Sequence, residues 1–355
     1  MAGGLADRIY RFLRRASSPC FVESGDRYMR LAFCDAAGRL LKALHGRPAL
    51  RTAYVGDQPD ILMETEALSD FGFKESESGG AFFETARGDL MHPYQPLSSL
   101  DPALFDVILV GDVHDENSLL SRLSGCSATV VPLRRLASCY TEAIRAGGIK
   151  GYRTCLNPIK LALVSAAVSL APSNGAIVEA GVYMGGTTLF MFRFQRLLGI
   201  DRPIFALDTF KGMPEPVDKD REGAPFVYEV GMFSDNRKDV VRRYWDNSGA
   251  RSIRMVEGLV QETISTAVPH KIAFMLLDCD QYSGTLGGLK GALPRLAAGG
   301  LILVDDSEVT GVRRALEEIS KQHPAFGRVP HISHNFDLFW GRTPEFGEFG
   351  GASPR

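Results

Sequence analysis

The chain has 355 residues, 45% hydrophobic and 23% charged, which is ordinary for a globular protein and long enough for two cores. Its 40 Lys and Arg nearly balance 42 Asp and Glu, and the formal net charge of -2 excludes a strongly basic surface for nucleic acid or acidic lipid. Cys20, Cys34, Cys126, Cys139, Cys155 and Cys279 form no CxxC pair, so reduced thiols and a cytoplasmic location are expected.

Arg8, Arg11, Arg14 and Arg15 alternate with Leu5, Ile9, Phe12 and Leu13, which predicts a short amphipathic helix docked on its own domain or on a second subunit. No apolar run approaches a membrane span, and stable membrane insertion is not expected. From residue 27 to 145, strands and helices interleave. RYMRLAFCDAAGRLLKAL reads as a helix, RTAYVG as a strand and ILMETEALSDFG as a helix. AFFETA, FDVILVGDV, the helix ENSLLSRLSG and the strand ATVVPL follow. This alternation predicts a small parallel-sheet unit whose loops carry Asp57, Asp60, Asp112, His114 and Asn117. It has no phosphate-binding glycine fingerprint, so a role in shaping the acceptor site or in pairing subunits fits better than a second cofactor site.

The glycines between Gly147 and Gly151 mark a boundary, giving an amino-terminal α/β accessory domain at 1–146 and a second α/β domain at 147–355. The second opens with the helix LNPIKLALVSAAVSLA, the strand AIVEAG, the turn VYMGGTT, the helix LFMFRFQRLLG and the strand PIFALD. A polar stretch from Lys211 to Asp239 follows, long enough to suggest a functional lid. Beyond it come the helix DVVRRYW, the strands SIRMVEG and AFMLLD, the helix GTLGGLKGALPRLA, the strand LILVDD and the helix GVRRALEEISKQ. RVPHISHNFDLFWGR reads as two final strands.

Two features of this domain carry chemistry. In IVEAGVYMGGTTLF, Glu179 and Gly181 end a strand, and Gly185, Gly186 and Thr187 open a helix. Glycine there allows close backbone approach to a ligand, while an acidic residue in place of the first fingerprint glycine repels pyrophosphate and suits a positively charged ligand such as S-adenosylmethionine. Asp208 ends the next strand, where nucleoside ribose is gripped in such sheets. The second feature is the pair MLLDCDQYSGT and LILVDDSEV, two buried strands ending in Asp278, Asp280, Asp305 and Asp306. Carboxylates gathered at one sheet rim suit a hard cation such as Mg²⁺, although Asp280 and Asp306 could serve simply as helix caps.

The ordered motifs VEAGVYMGG, LDTFKGMPEP, LDCDQYSGT, LAAGGLILVDD and GVRRALEE resemble the macrocin O-methyltransferase family, which methylates deoxysugar hydroxyls of macrolides and related natural products. The resemblance runs over about 150–325. It implies a class I methyltransferase sheet with a Rossmann-like fold and S-adenosylmethionine held by Glu179, Gly181, Gly185, Gly186, Thr187, Asp208, Gly258 and Asp278. It also implies Mg²⁺ or another divalent cation on Asp278, Asp305 and Asp306, and closure of the polar stretch over the acceptor. Thr209, Ser283, Gly284 and Ser307 depart from the family pattern beside the acceptor.

Related catechol-type enzymes use a Lys as base three positions after the first metal Asp. Here that position is Gln281, leaving Asp278 and Asp280 as candidate catalytic bases, with His331, His334 and Asp337 near the end of the sheet as further contributors or as structural residues. Tyr282 and Phe210 are candidate cofactor-pocket residues. Arg313 and Arg314 either pair with the acidic rim or lie on a solvated helix face. The expected protein is a homo-oligomeric O-methyltransferase for a small hydroxylated natural-product or sugar-bearing metabolite. The rival readings are a metal-independent N-methyltransferase of an amino sugar and a non-catalytic scaffold that binds S-adenosylmethionine.

Overall fold

A computed structural model describes residues 20–46, 50–56, 81–84, 94–111, 113, 115–147, 152–269, 271–323, 327–333 and 335–340. The basic amino-terminal stretch, the helix expected at ILMETEALSDFG, the loop 57–60, Asp112, His114, His334 and the Gly/Pro-rich tail lie outside them. By its contacts the chain forms two compact units: the described parts of Met1–Ala146 with Asn157–Ala166, and those of Gly147–Leu156 with Ala167–Ala352.

The first unit contains α1 (Cys20–His45), β1 (Thr52–Val55), β2 (Ala81–Glu84), β3 (Tyr94–Pro96), β4 (Val107–Val110), α2 (Glu116–Leu123), β5 (Thr129–Val131) and α3 (Leu133–Ala146). Its sheet runs β3-β2-β1-β4-β5 with every pair parallel. The central strands β1 and β4 are buried at every residue, which is why their sequence is continuously apolar rather than alternating. Ala53, Val55, Ile108 and Val110 pack with Leu119 and Leu123 of α2. Met29, Phe33, Leu40, Leu41 and Leu44 recur at helical spacing on α1, which packs on α3 with Phe33 and Tyr140 rings 5.8 Å apart. β3 and α3 were not among the elements read from sequence.

The second unit contains most of the remaining elements: α4 (Pro158–Leu170, shared with the first unit), β6 (Ala176–Ala180), α5 (Gly186–Leu197), β7 (Ile204–Asp208), α6 (Asp218–Arg221), α7 (Lys238–Asn247) and β8 (Arg254–Glu257). After these come α8 (Val260–Ala267), β9 (Ile272–Leu277), α9 (Tyr282–Ala292), β10 (Leu296–Val304), α10 (Thr310–Gln322), β11 (Gly327–Ser333) and β12 (Phe336–Trp340). The sheet order is β11-β12-β10-β9-β6-β7-β8, with β12 antiparallel to both neighbours and the other pairs parallel. Val178, Ala180, Met275, Leu277, Ile302 and Val304 form the sheet side of a core completed by Leu289, Leu316 and Ile319.

Two expectations need correction. The helix read as GTLGGLKGALPRLA stops at Ala292, because Pro294 cannot continue it, and β10 begins five residues before the LILVDD run, at Leu296. α8 was also unread, since VQETISTA is short and mostly polar.

Candidate active site

The strand order reverses at β6: β7 and β8 lie to one side, β9 and β10 to the other. Ligands of open α/β sheets sit outside the carboxyl ends at such a reversal. There the Asp278 amide donates to the Ala180 carbonyl at 2.8 Å, bringing the glycine turn and the first acidic residue together. A Cβ on Gly181, whose φ is +88°, would overlap the Asp278 carbonyl oxygen, so only glycine fits there.

The next two glycines are explained the same way. Gly185 caps α5 with φ +78°; its carbonyl accepts the Trp245 indole N–H at 2.8 Å, and an added Cβ would lie 2.6 Å from that nitrogen. The Gly186 amide donates to the Arg153 carbonyl at 3.2 Å, against which a Cβ would clash. Thr187 shares a 2.6 Å hydroxyl contact with Thr154. All three glycines let the protein pack closely against its own turn.

Two acidic residues are tied into the turn. Glu179 is buried beneath the turn and accepts from the Thr188 hydroxyl; burial, with a smaller push from Asp208, raises its carboxyl to about 8. Its carboxyl lies beneath the turn rather than on its surface. Asp208 holds the turn: Oδ2 accepts from the Val182 and Tyr183 amides at 2.7 and 3.0 Å, while Oδ1 accepts from the Phe210 amide at 2.7 Å and Asn236 Nδ2 at 2.9 Å. Its main-chain carbonyl accepts from the Gly258 amide at 2.9 Å. Asn236 is itself buried, and its Oδ1 is an acceptor with no protein donor among the described residues. Sequence reasoning missed Asn236, because nothing local distinguishes it within the polar stretch.

The acidic rim follows. Asp280 and Asp306 have φ of +56° and +53°, and with Tyr183, Phe210 and Phe233 they account for five of the seven described non-glycine residues in left-handed conformation. Such backbone concentrates at functional sites. Asp305 is buried, and its Oδ1 accepts from the Asp306 amide at 2.8 Å; Asp306 Oδ2 accepts from the Tyr228 hydroxyl at 3.3 Å. Burial raises the Tyr228 phenol, and the charges of Asp280, Asp306 and Asp278 raise it further. The Cys155 thiol is raised by partial desolvation and then by the charges of Asp280, Asp235, Asp305 and Asp306. The fields of these carboxylates therefore converge. Among the described residues, however, no group of three or more His, Cys, Asp or Glu is arranged as a metal site, so the expected set Asp278, Asp305 and Asp306 is not assembled for coordination.

The stretch from Lys211 to Asp239 is folded, and hydrogen bonds to residues outside it fasten it. Asp220 accepts from the Tyr282 amide at 2.7 Å, capping α9, and Arg314 donates to the Lys219 and Glu222 carbonyls at 2.7 and 2.9 Å. Gln281 Nε2 donates to the Pro214 and Tyr228 carbonyls. Tyr183 donates to Asp235 at 3.1 Å, and its ring meets Phe233, which meets Tyr228, which meets Phe226.

The remaining expected residues divide clearly. Phe210 is buried, and Tyr282 turns its hydroxyl to Glu318. Arg313 is exposed, while Arg314 holds the polar stretch rather than the acids. Asp337 is fully buried in a 2.6 Å ion pair with Arg328 and accepts the His331 amide, so it acts structurally.

A family model described as macrocin O-methyltransferase (TylF) matches residues 159–340, just over half the chain. The chain belongs to the macrocin O-methyltransferase family. With it comes its class: an S-adenosylmethionine-dependent methyltransferase. Curated relatives include the mycinamicin III 3''-O-methyltransferase of Micromonospora griseorubida, 26% identical over 48% of this chain and 69% of that protein. Another is the 8-demethyl-8-(2,3-dimethoxy-alpha-L-rhamnosyl)-tetracenomycin-C 4'-O-methyltransferase of Streptomyces olivaceus, 27% identical over 48% of this chain and 66% of that one. Among solved structures, the O-methyltransferase NovP is 23% identical, covers 57% of this chain and 88% of its own, and has a TM-score of 0.45. The amino-terminal unit lies outside the family match apart from the part of α4 it shares, and no helix among the described residues is long and apolar enough to cross a membrane.

Proposed function

We propose that this macrocin-family methyltransferase transfers a methyl group from S-adenosylmethionine to a hydroxyl of a sugar-bearing natural product. The observation that carries the reading is the meeting of Gly181 and Asp278 at the reversal of strand order, with the cofactor turn on one side and the acidic rim on the other. The rhamnosyl group in the name of the tetracenomycin relative supports a sugar hydroxyl as acceptor.

Methyl transfer is an in-line displacement, and alignment of the acceptor oxygen with the methyl carbon is the enzyme's principal task. The turn at 181–186 and Asp208 position the donor, and the open acceptor Asn236 Oδ1 suits a ribose hydroxyl. Asp278 and Asp280 are the proposed bases for the acceptor proton. Asp278, Asp305 and Asp306 are hard oxygen donors at the ends of β9 and β10, the donor class a divalent cation takes; not assembled for coordination as they stand, they would have to gather around the ion to hold it. Such an ion supplies Lewis-acid polarisation of a hydroxyl. The stretch 211–239 excludes water from the displacement.

We assign residues 1–146 to acceptor choice or pairing of subunits in a homo-oligomer. Removing 1–146 should leave S-adenosylmethionine affinity nearly unchanged while lowering acceptor turnover or changing the sedimenting mass. Full activity with an unchanged assembly would reject that role. The function itself is tested by chelation: EDTA should abolish methylation and Mg²⁺ restore it. Retained activity in chelator with an amino-sugar acceptor would favour N-methylation.

A further inference from the structure

We infer that Gln281 is a positioning residue which fixes the polar stretch over the acceptor side of the site. It sits between the end of β9 and the start of α9, with its side chain 3% exposed. Its Nε2 donates at 3.1 Å to the Pro214 carbonyl and at 2.9 Å to the Tyr228 carbonyl, on opposite limbs of the same stretch. A primary amide has two N–H donors, and this one uses both.

The consequence lies at Tyr228. With its carbonyl held by Gln281, its ring packs between Phe226 at 5.0 Å and Phe233 at 5.9 Å, and its hydroxyl reaches Asp306. One line of contacts therefore runs from the end of β9, through the polar stretch, to the end of β10. The other anchors differ in kind: Arg314 and Asp220 secure the short helix α6 against α10 and α9. Gln281 is thus the tie that sets where Tyr228 stands over the rim. It acts through Tyr228 rather than on the substrate.

Removing the amide leaves two backbone carbonyls without their donor, enough to shift the closed population of the stretch by about tenfold or more. The test uses the full chain carrying Gln281→Leu, with Gln281→Glu as a second variant that keeps the shape but offers carbonyls no donor when ionised. Hydrogen exchange is followed at the hydrogen-bonded amides of Met213, Gly231 and Met232. Exchange there should accelerate about tenfold in both variants, while sheet amides and S-adenosylmethionine affinity hold within about twofold. The acceptor KM should rise by a similar factor, with a smaller change in kcat. Unchanged exchange in both variants would overturn the tie, and faster exchange with an unchanged KM would overturn its positioning role. The kinetic arm rests on the methyl-transfer reading; if the wild-type chain methylates nothing, that reading fails while the exchange arm still decides whether Gln281 fastens the stretch.

Discussion

The cofactor turn and the acidic rim meet at Gly181 and Asp278 but are built on opposite plans. Around the turn, backbone groups and buried side chains satisfy one another: Asp208 binds two turn amides, Trp245 binds the Gly185 carbonyl, and every missing Cβ is replaced by protein. Around the rim, Asp306 is reached by Tyr228, a side chain from another segment, and that segment is fastened by Gln281 and Arg314. The contrast teaches that the turn proposed to hold the donor is fixed by the fold, whereas the rim proposed to face the acceptor is reached by a strap that a few side chains fasten.

The turn is where the comparison breaks most severely. Gly181→Ala combines a left-handed φ with overlap of the Asp278 backbone and should cost about 4 kcal/mol or more, read as loss of soluble folded protein by circular dichroism. Next comes Asp208→Asn, which turns an amide N–H₂ toward amide donors and should cost about 2 to 4 kcal/mol in chemical denaturation, with weaker S-adenosylmethionine binding. At the rim, Asp305→Ala should lower turnover about a hundredfold, through loss of acceptor activation, yet leave cofactor affinity within about twofold in titration calorimetry. Equal losses of both would erase the proposed division.

The smallest effect concerns Glu179. Its carboxyl ionises near 4.5 when unfolded and is held up to about 8 by burial in the fold, so the folded chain retains a proton that the unfolded chain releases. Stability from this group is complete below the lower value and is lost as pH rises through the higher one. Between pH ~6 and ~8 the wild type should lose about 2 kcal/mol from this source, and Glu179→Gln should flatten that slope. Thermal melts across this range make the comparison; parallel slopes would contradict a buried neutral Glu179.

Much of this architecture was legible because buried parallel strands announce themselves. IFALD, AFMLLD and LILVDD are apolar runs ending in carboxylates, and their ends lie where sheet ligands bind. The glycines of the turn were legible as positions but not as contacts, since the groups that require them, Trp245, Arg153 and the Asp278 carbonyl, come from elsewhere in the chain. The same limit hid Asn236, Tyr228 and Gln281. Each is an ordinary residue locally and gains its role only through partners brought near by the fold. The polar stretch was identified by its length, but its anchoring was not, because Asp220 and Arg314 look like solvated charges in sequence.

The central claim is tested most directly by incubating the full chain with S-adenosylmethionine, Mg²⁺ and a glycosylated polyketide bearing free sugar hydroxyls, then fragmenting the product by mass spectrometry. The account predicts S-adenosylhomocysteine in equal amount to a product carrying one added methyl on the sugar oxygen, with both absent in EDTA. Cofactor binding without methyl transfer to any sugar hydroxyl across a panel of such acceptors, or transfer that is undiminished in EDTA, would contradict it.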